Sequence, residues 1–146
     1  MRTINRKSAA GMVLLLAVCA ALASFTLPSP MGGETFEIYV DKKLVLRHFV
    51  SVSKEPQSFQ LTRENGNAQV DIYYNHCGEL GKARHLTLRN AQNKVVKQWN
   101  FSGNEKFMSF HAKDLVDAVE GNEKLSLYYS AEQLPKGRFL ASVIVL

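Results

Sequence analysis

From Glu34 onward, the sequence is a series of short runs of β-branched, aromatic and other apolar residues separated by turn residues. In several runs the apolar residues recur at every second position, as in Phe36, Ile38 and Val40, which is the pattern of a strand with one buried face. The predicted strands lie at residues 35–40, 44–50, 58–61, 69–76, 84–89, 94–101, 107–110, around 125–129, and at 138–146. The last run is apolar on both parities, which indicates a strand buried on both faces.

One segment, Ala112 to Val119, has helical spacing instead, because Leu115 and Val119 form an i,i+4 pair, as do Ala112 and Val116. A single short helix does not supply the crossover connections that a parallel sheet requires. The sequence therefore predicts an all-β fold, an antiparallel β-sandwich of about eight strands with one short helix, in one domain that spans residues 34–146.

The first 23 residues have the organisation of a secretory signal peptide. Arg2, Arg6 and Lys7 precede the uncharged run 9–23, which ends in the small-x-small pattern at residues 21–23. An uncleaved membrane anchor is the alternative, since about 20 apolar residues suffice to cross a bilayer. Residues 24–33 contain two prolines and two glycines and no hydrophobic period, so we expect a flexible lead-in there.

Export and cleavage would change both the charge and the cysteine count. The formal net charge of the whole chain is +5, but without the three basic residues of the leader, 15 basic and 13 acidic residues leave +2. This mild charge argues against nucleic acid as a partner. Cys19 would leave with the leader, so Cys77 would have no intramolecular partner in an oxidising compartment. We expect a periplasmic or secreted protein that has no membrane attachment after cleavage.

The stretch from Tyr73 to His85 departs from the strand-and-turn pattern and is the predicted functional surface. It contains the one cysteine of the mature chain, two glycines, two histidines and two cations. The candidate ligand-binding residues are His76, Cys77, Gly78, Gly81, Lys82 and Arg84. A purely structural interpretation is a hairpin loop whose glycines adopt positive φ and whose Cys77 packs as a small apolar group.

An anion site is one functional interpretation of this loop. Backbone N–H groups around Gly78 and Gly81 would form a concave nest, and Lys82 and Arg84 would add charge for a carboxylate or phosphate. The loop is not a nucleotide-binding P-loop, because Ala83 stands where a magnesium-binding Ser or Thr is required.

Cysteine chemistry is the other interpretation. His76, Cys77 and His85 are of metal-ligating types, but neighbouring residues of a strand point to opposite faces, so His76 and Cys77 do not chelate together. A catalytic thiol needs a base within hydrogen-bond reach, and His48, His85 and His111 are candidates only if the fold brings them near Cys77. We therefore predict no catalytic residue, metal or cofactor. A disulfide-linked homodimer through Cys77 stays open.

Two motifs carry a resemblance. The loop motif HCGxxGKxR and the later LYYSxxxLPKGRxLAS resemble a group of small secreted bacterial β-sandwich proteins with no known activity, over most of the mature chain. The resemblance implies a fold and no function.

These observations predict a secreted or periplasmic, non-catalytic binding or interaction domain, with an unknown protein or a small anionic ligand as its partner. One alternative is a thiol- or metal-dependent periplasmic enzyme that uses Cys77 and a histidine. Another is a structural or assembly protein that offers an exposed sheet edge to a partner strand.

Overall fold

The computed structural model describes residues 33–52, 54–119 and 124–146. They belong to one compact unit that spans Gly32–Leu146. The predicted signal peptide and nearly all of the predicted lead-in lie outside the described residues. No helix in the described ranges is long and apolar enough to cross a membrane.

The described residues form nine strands, one α-helix and one 3-10 helix. The strands are β1 (Thr35–Val40), β2 (Lys43–Phe49), β3 (Ser58–Leu61), β4 (Gln69–Asn75), β5 (Arg84–Arg89), β6 (Val95–Phe101), β7 (Met108–His111), β8 (Leu125–Ala131) and β9 (Leu134–Val145). The α-helix is α1 (Lys113–Ala118), and the 3-10 helix spans Arg63–Asn67. The all-β prediction is confirmed, and each of the nine predicted segments corresponds to one of these strands.

The strands form two sheets, in the orders β2-β1-β4-β7 and β3-β9-β8-β5-β6. Neighbouring strands are antiparallel with one exception, because β3 runs parallel to β9, with Ser58 opposite Ser142. The predicted antiparallel β-sandwich is confirmed apart from this one parallel pair. No tight hairpin joins β3 to β9, so the connection leaves their relative direction free.

The chain passes repeatedly between the two sheets. Hairpins join β5 to β6 and β8 to β9, whereas the connections β4–β5, β6–β7 and β7–β8 cross from one sheet to the other. This connectivity is that of an immunoglobulin-type Greek key, to which the β1–β2 hairpin adds two strands in the smaller sheet.

The inner faces of the two sheets form one hydrophobic core. Tyr74 of β4 stacks on Tyr129 of β8, with ring centroids 4.1 Å apart, and both side chains are fully buried. The end of β9 is buried continuously from Leu140 to Val143, as its apolar run predicts. Burial of each large apolar side chain contributes about 1.5–3 kcal/mol, so this core stabilises the sandwich, in which Cys77, the one cysteine of the described ranges, is free.

The helix is shorter than predicted, since Ala112 and Val119 are its caps. Leu115 of this helix is fully buried. Asp114 accepts hydrogen bonds from Lys97 and Trp99 of β6. Burial opposes the charge of Asp114, but these hydrogen bonds bring the pKa of its carboxyl below the usual value. Thus α1 is tied to the edge of the larger sheet.

Candidate functional site

The loop between β4 and β5 begins with a tight turn. The main chains of His76 and Glu79 exchange two hydrogen bonds of 2.8 and 3.1 Å. Cys77 and Gly78 between them have φ angles of 52° and 103°, and the Gly78 N–H donates to Asn75 Oδ1 at 2.7 Å. The predicted positive φ is therefore present at Gly78.

Three of the predicted site residues, Cys77, Gly78 and Lys82, are exposed. The interpretation in which Cys77 packs as a buried apolar group is wrong, because its free thiol lies at the exposed turn. The Lys82 N–H donates to Gln133 Oε1 at 3.0 Å, and the Lys82 carbonyl accepts from the N–H of Glu132 at 2.9 Å. These bonds hold the loop against the β8–β9 turn.

His76 points the other way, into a partly buried polar network. Its Nε2 lies 2.8 Å from the Tyr129 hydroxyl, and its Nδ1 lies 3.3 Å from Glu34 Oε1. Glu34 is also paired through Oε2 with Arg138 Nη2 at 2.7 Å. We call Arg138, Glu34, His76 and Tyr129 the histidine network. It joins the start of β1, the end of β4, and strands β8 and β9.

Position 81 needs a glycine because the histidine network leaves no room for a side chain. The backbone does not require glycine there, since Gly81 does not have a positive φ angle. A Cβ atom at this position would lie 2.2 Å from the Tyr129 hydroxyl and 3.0 Å from His76 Nε2. The prediction that both loop glycines adopt positive φ is thus wrong for Gly81. Its hydrogen leaves room for the bond between the imidazole and the phenol.

Both inward-facing tyrosines ionise less readily than an exposed tyrosine, because burial disfavours the phenolate. Desolvation raises the pKa of Tyr129 to about 12 against the opposing charge of Arg84, and it raises the pKa of Tyr74 further still. With a neutral imidazole, the Tyr129 hydroxyl donates to Nε2, and the Nδ1–H of His76 donates to Glu34. The series of carboxylate, imidazole and hydroxyl resembles a catalytic arrangement in which an oriented base lies beside a nucleophile. The Tyr129 hydroxyl is fully buried, however, so the role of the network is to hold strands together.

Arg84 lies apart from Lys82. Its side chain is 1% exposed, and its Nη2 donates to the Gly103 carbonyl at 3.0 Å. Its Nε and Nη1 have no hydrogen-bond partner among the described residues. The structure therefore does not bring the two predicted anion-binding cations onto one surface.

The potential metal ligands do not converge either. Within the described ranges, no group of three His, Cys, Asp or Glu side chains lies close enough to hold a metal ion. His85 instead bonds through Nδ1 to Asn100 Oδ1 at 2.7 Å.

A groove between the two sheets was not predicted. Strand β3 covers only Ser142–Val145 of β9, so among the described residues the preceding part of β9 has a neighbouring strand, β8, on one side alone. Beside this open stretch lies a groove of about 380 Å³. Phe36 and Leu140 lie at its floor and are only 1% exposed, Val50 is partly exposed, and His48, Lys54 and Arg138 line it as well.

This groove depends on how far β3 extends along β9. Pairing between two strands that are distant in sequence leaves no local signal. The continuous apolar run at 138–146 predicts strand β9, but it does not predict which part of this strand lacks β3 as a neighbour.

The chain matches no protein-family model, and no curated protein is significantly similar to it. The resemblance to small secreted bacterial proteins stays a prediction.

Proposed function

We propose that this protein is a non-catalytic binding domain whose groove beside β9 accepts an extended segment of a partner protein. The observation that carries the proposal is that β3 covers only part of β9. Strand β9 begins at Leu134, but β3 pairs with it only from Ser142 onward. We define the uncovered stretch Arg138–Ala141 as the open edge.

An extended peptide would add a strand at the open edge, in line with β3. Main-chain hydrogen bonds supply affinity in such β-strand addition, and pockets for alternate side chains supply specificity. The groove volume of about 380 Å³ lies within the range of about 300–1,000 Å³ that is usual for ligand pockets. The dimensions therefore suit a short peptide segment.

The lining also favours a particular peptide chemistry. Val50, which is partly exposed, would contact an apolar side chain, whereas the Lys54 ammonium would attract a carboxylate. One acidic residue, Glu55, lines the groove as well. The preferred segment is accordingly an extended one in which an apolar residue lies next to an acidic residue.

The contacts of His76 favour binding over thiol catalysis. Glu34 and Tyr129 occupy its two ring nitrogens, so its imidazole is not free to take a proton from Cys77. We further propose that the domain acts outside the cytoplasm, in the periplasm or after secretion. The basic, apolar and small-residue order of residues 1–23 supports this location.

Selection from a random peptide display library tests the proposal. Wild-type protein should select extended sequences that combine an apolar and an acidic residue. Two groove variants, Val50→Trp and Lys54→Glu, should lose these peptides, because one fills the groove and the other reverses a lining charge.

The matched controls are Val95→Trp and Lys94→Glu, which change exposed positions at and beside β6. Both should bind the selected peptides as wild type does. Thermal unfolding of every variant confirms that it is folded. Selection of no peptide family, or equal binding by Val50→Trp and Val95→Trp, would refute the proposal.

A further inference from the structure

A second and smaller cavity lies on the outer face of the larger sheet. It has a volume of about 140 Å³ and is lined by Thr87 and Arg89 of β5, Tyr128 and Ser130 of β8, and Lys136 and Gly137 of β9. We call it the β5–β8–β9 pocket. Its side chains belong to the positions that alternate with the buried residues Leu86, Leu88 and Leu127.

An irregularity in the β8–β9 hairpin shapes the pocket. Tyr129 pairs with Arg138 and Ala131 with Leu134, so residues 135–137 bulge out opposite Ser130 alone. Gly137 at the end of the bulge has a φ of 73°, and a Cβ there would lie 3.2 Å from the Tyr129 carbonyl oxygen. A bulge re-aims side chains and is common beside functional sites. Here it brings Lys136 to the pocket.

The polar groups of the pocket suit a negatively charged ligand. Arg89 and Lys136 supply two cations, and Thr87, Tyr128 and Ser130 supply hydroxyl groups, while no carboxylate from the described part of the chain lines the cavity. The guanidinium carbon of Arg89 lies 4.6 Å from the centroid of the Tyr128 ring. A cation–π contact of this kind holds the guanidinium in place.

Arg89 also has an unused hydrogen-bond donor. Its Nη1 donates to Asn93 Oδ1 at 3.1 Å, but its Nε is buried and has no partner among the described residues. Because the Nε atom is buried, an anion in the pocket would have to meet the guanidinium through its terminal Nη atoms. No ion pair of Arg89 or Lys136 occurs in the described ranges.

We propose that the β5–β8–β9 pocket binds a phosphate or sulfate group. Its volume is below the range of about 300–1,000 Å³ for drug-sized ligands, so it encloses one such group and leaves the rest of a larger ligand outside. Arginine and lysine with nearby hydroxyls are the donors that a tetrahedral oxyanion requires. The site is distinct from the groove and does not depend on its function.

Titration followed by NMR chemical shifts tests this site, with inorganic phosphate, inorganic sulfate and glycerol phosphate as probes and sodium chloride at matched ionic strength as the reference. Saturable shifts of the amides around Ser130 and Gly137 are expected with the oxyanions and not with chloride. Tighter binding of glycerol phosphate than of inorganic phosphate would identify an esterified ligand, and the reverse a free ion; both support the site.

Two variants remove the cations singly, Arg89→Gln and Lys136→Gln. Each should weaken oxyanion binding about tenfold, the effect of one lost charge-assisted hydrogen bond. Lys43→Gln, a change at an exposed position on β2, should bind as wild type does. Because Lys136 is exposed, its variant is expected to fold even if Arg89→Gln does not. Equal shifts with chloride, or unchanged affinity in Lys136→Gln, would overturn the proposal.

Discussion

Replacement of Gly81 by alanine tests whether the histidine network holds the loop to the sandwich. The added Cβ would lie 2.2 Å from the Tyr129 hydroxyl, 2.9 Å from Ala131 Cβ and 3.0 Å from His76 Nε2. Overpacking of this kind costs about 1–3 kcal/mol, and loss of the hydrogen bond to a buried hydroxyl adds about 1 kcal/mol. Gly81→Ala should therefore lower the free energy of unfolding by about 2–4 kcal/mol.

Urea unfolding, followed by the fluorescence of the single tryptophan, measures this loss. Gly66→Ala is the matched control, because a Cβ there meets nothing within 4 Å, and it should change stability by less than about 1 kcal/mol.

A double-mutant cycle makes the test specific. Tyr129→Phe removes the atom closest to the new Cβ, so Gly81→Ala should cost less in that background than in wild type. The reasoning is refuted if Gly81→Ala is as stable as Gly66→Ala, or if Tyr129→Phe leaves its cost unchanged.

Three further predictions concern buried and exposed groups. The folded state raises the pKa of Tyr129 from 10.0 to about 12, so the stability from its protonated hydroxyl is fully present below pH 10. It should fall by about 2–3 kcal/mol as the pH rises toward 12, and urea unfolding of Tyr129→Phe should show a smaller fall. Arg84→Met should be at least as stable as wild type in urea, because it removes a buried charge that forms no ion pair with any described residue; a loss above about 2 kcal/mol contradicts this. Cys77 should react stoichiometrically with a thiol reagent in the native protein, and Cys77→Ser should change stability by less than about 0.5 kcal/mol. A native thiol that resists labelling contradicts its exposed position.

Local patterns account for most of the fold. Alternation identified the strands because each sheet buries one face, and the apolar run in β9 identified a strand covered on both faces. The parallel direction of β3 had no such signal, since it depends on how the chain crosses between sheets.

The candidate site was less predictable because its contacts join distant residues. Glu34 meets His76 only after β1 pairs with β4. One signal was available, however. Arg84 is in phase with Leu86 and Leu88, whose side chains point inward, so parity alone would have predicted a buried arginine rather than a surface cation.

Amide hydrogen exchange with and without a selected peptide tests the central claim most directly. If the peptide adds a strand at the open edge, the amides within Arg138–Ala141 that point away from β8 should become protected. The amides of β6, an edge strand of the same sheet, should keep their exchange rates. Peptide binding that leaves exchange in Arg138–Ala141 unchanged would contradict the account.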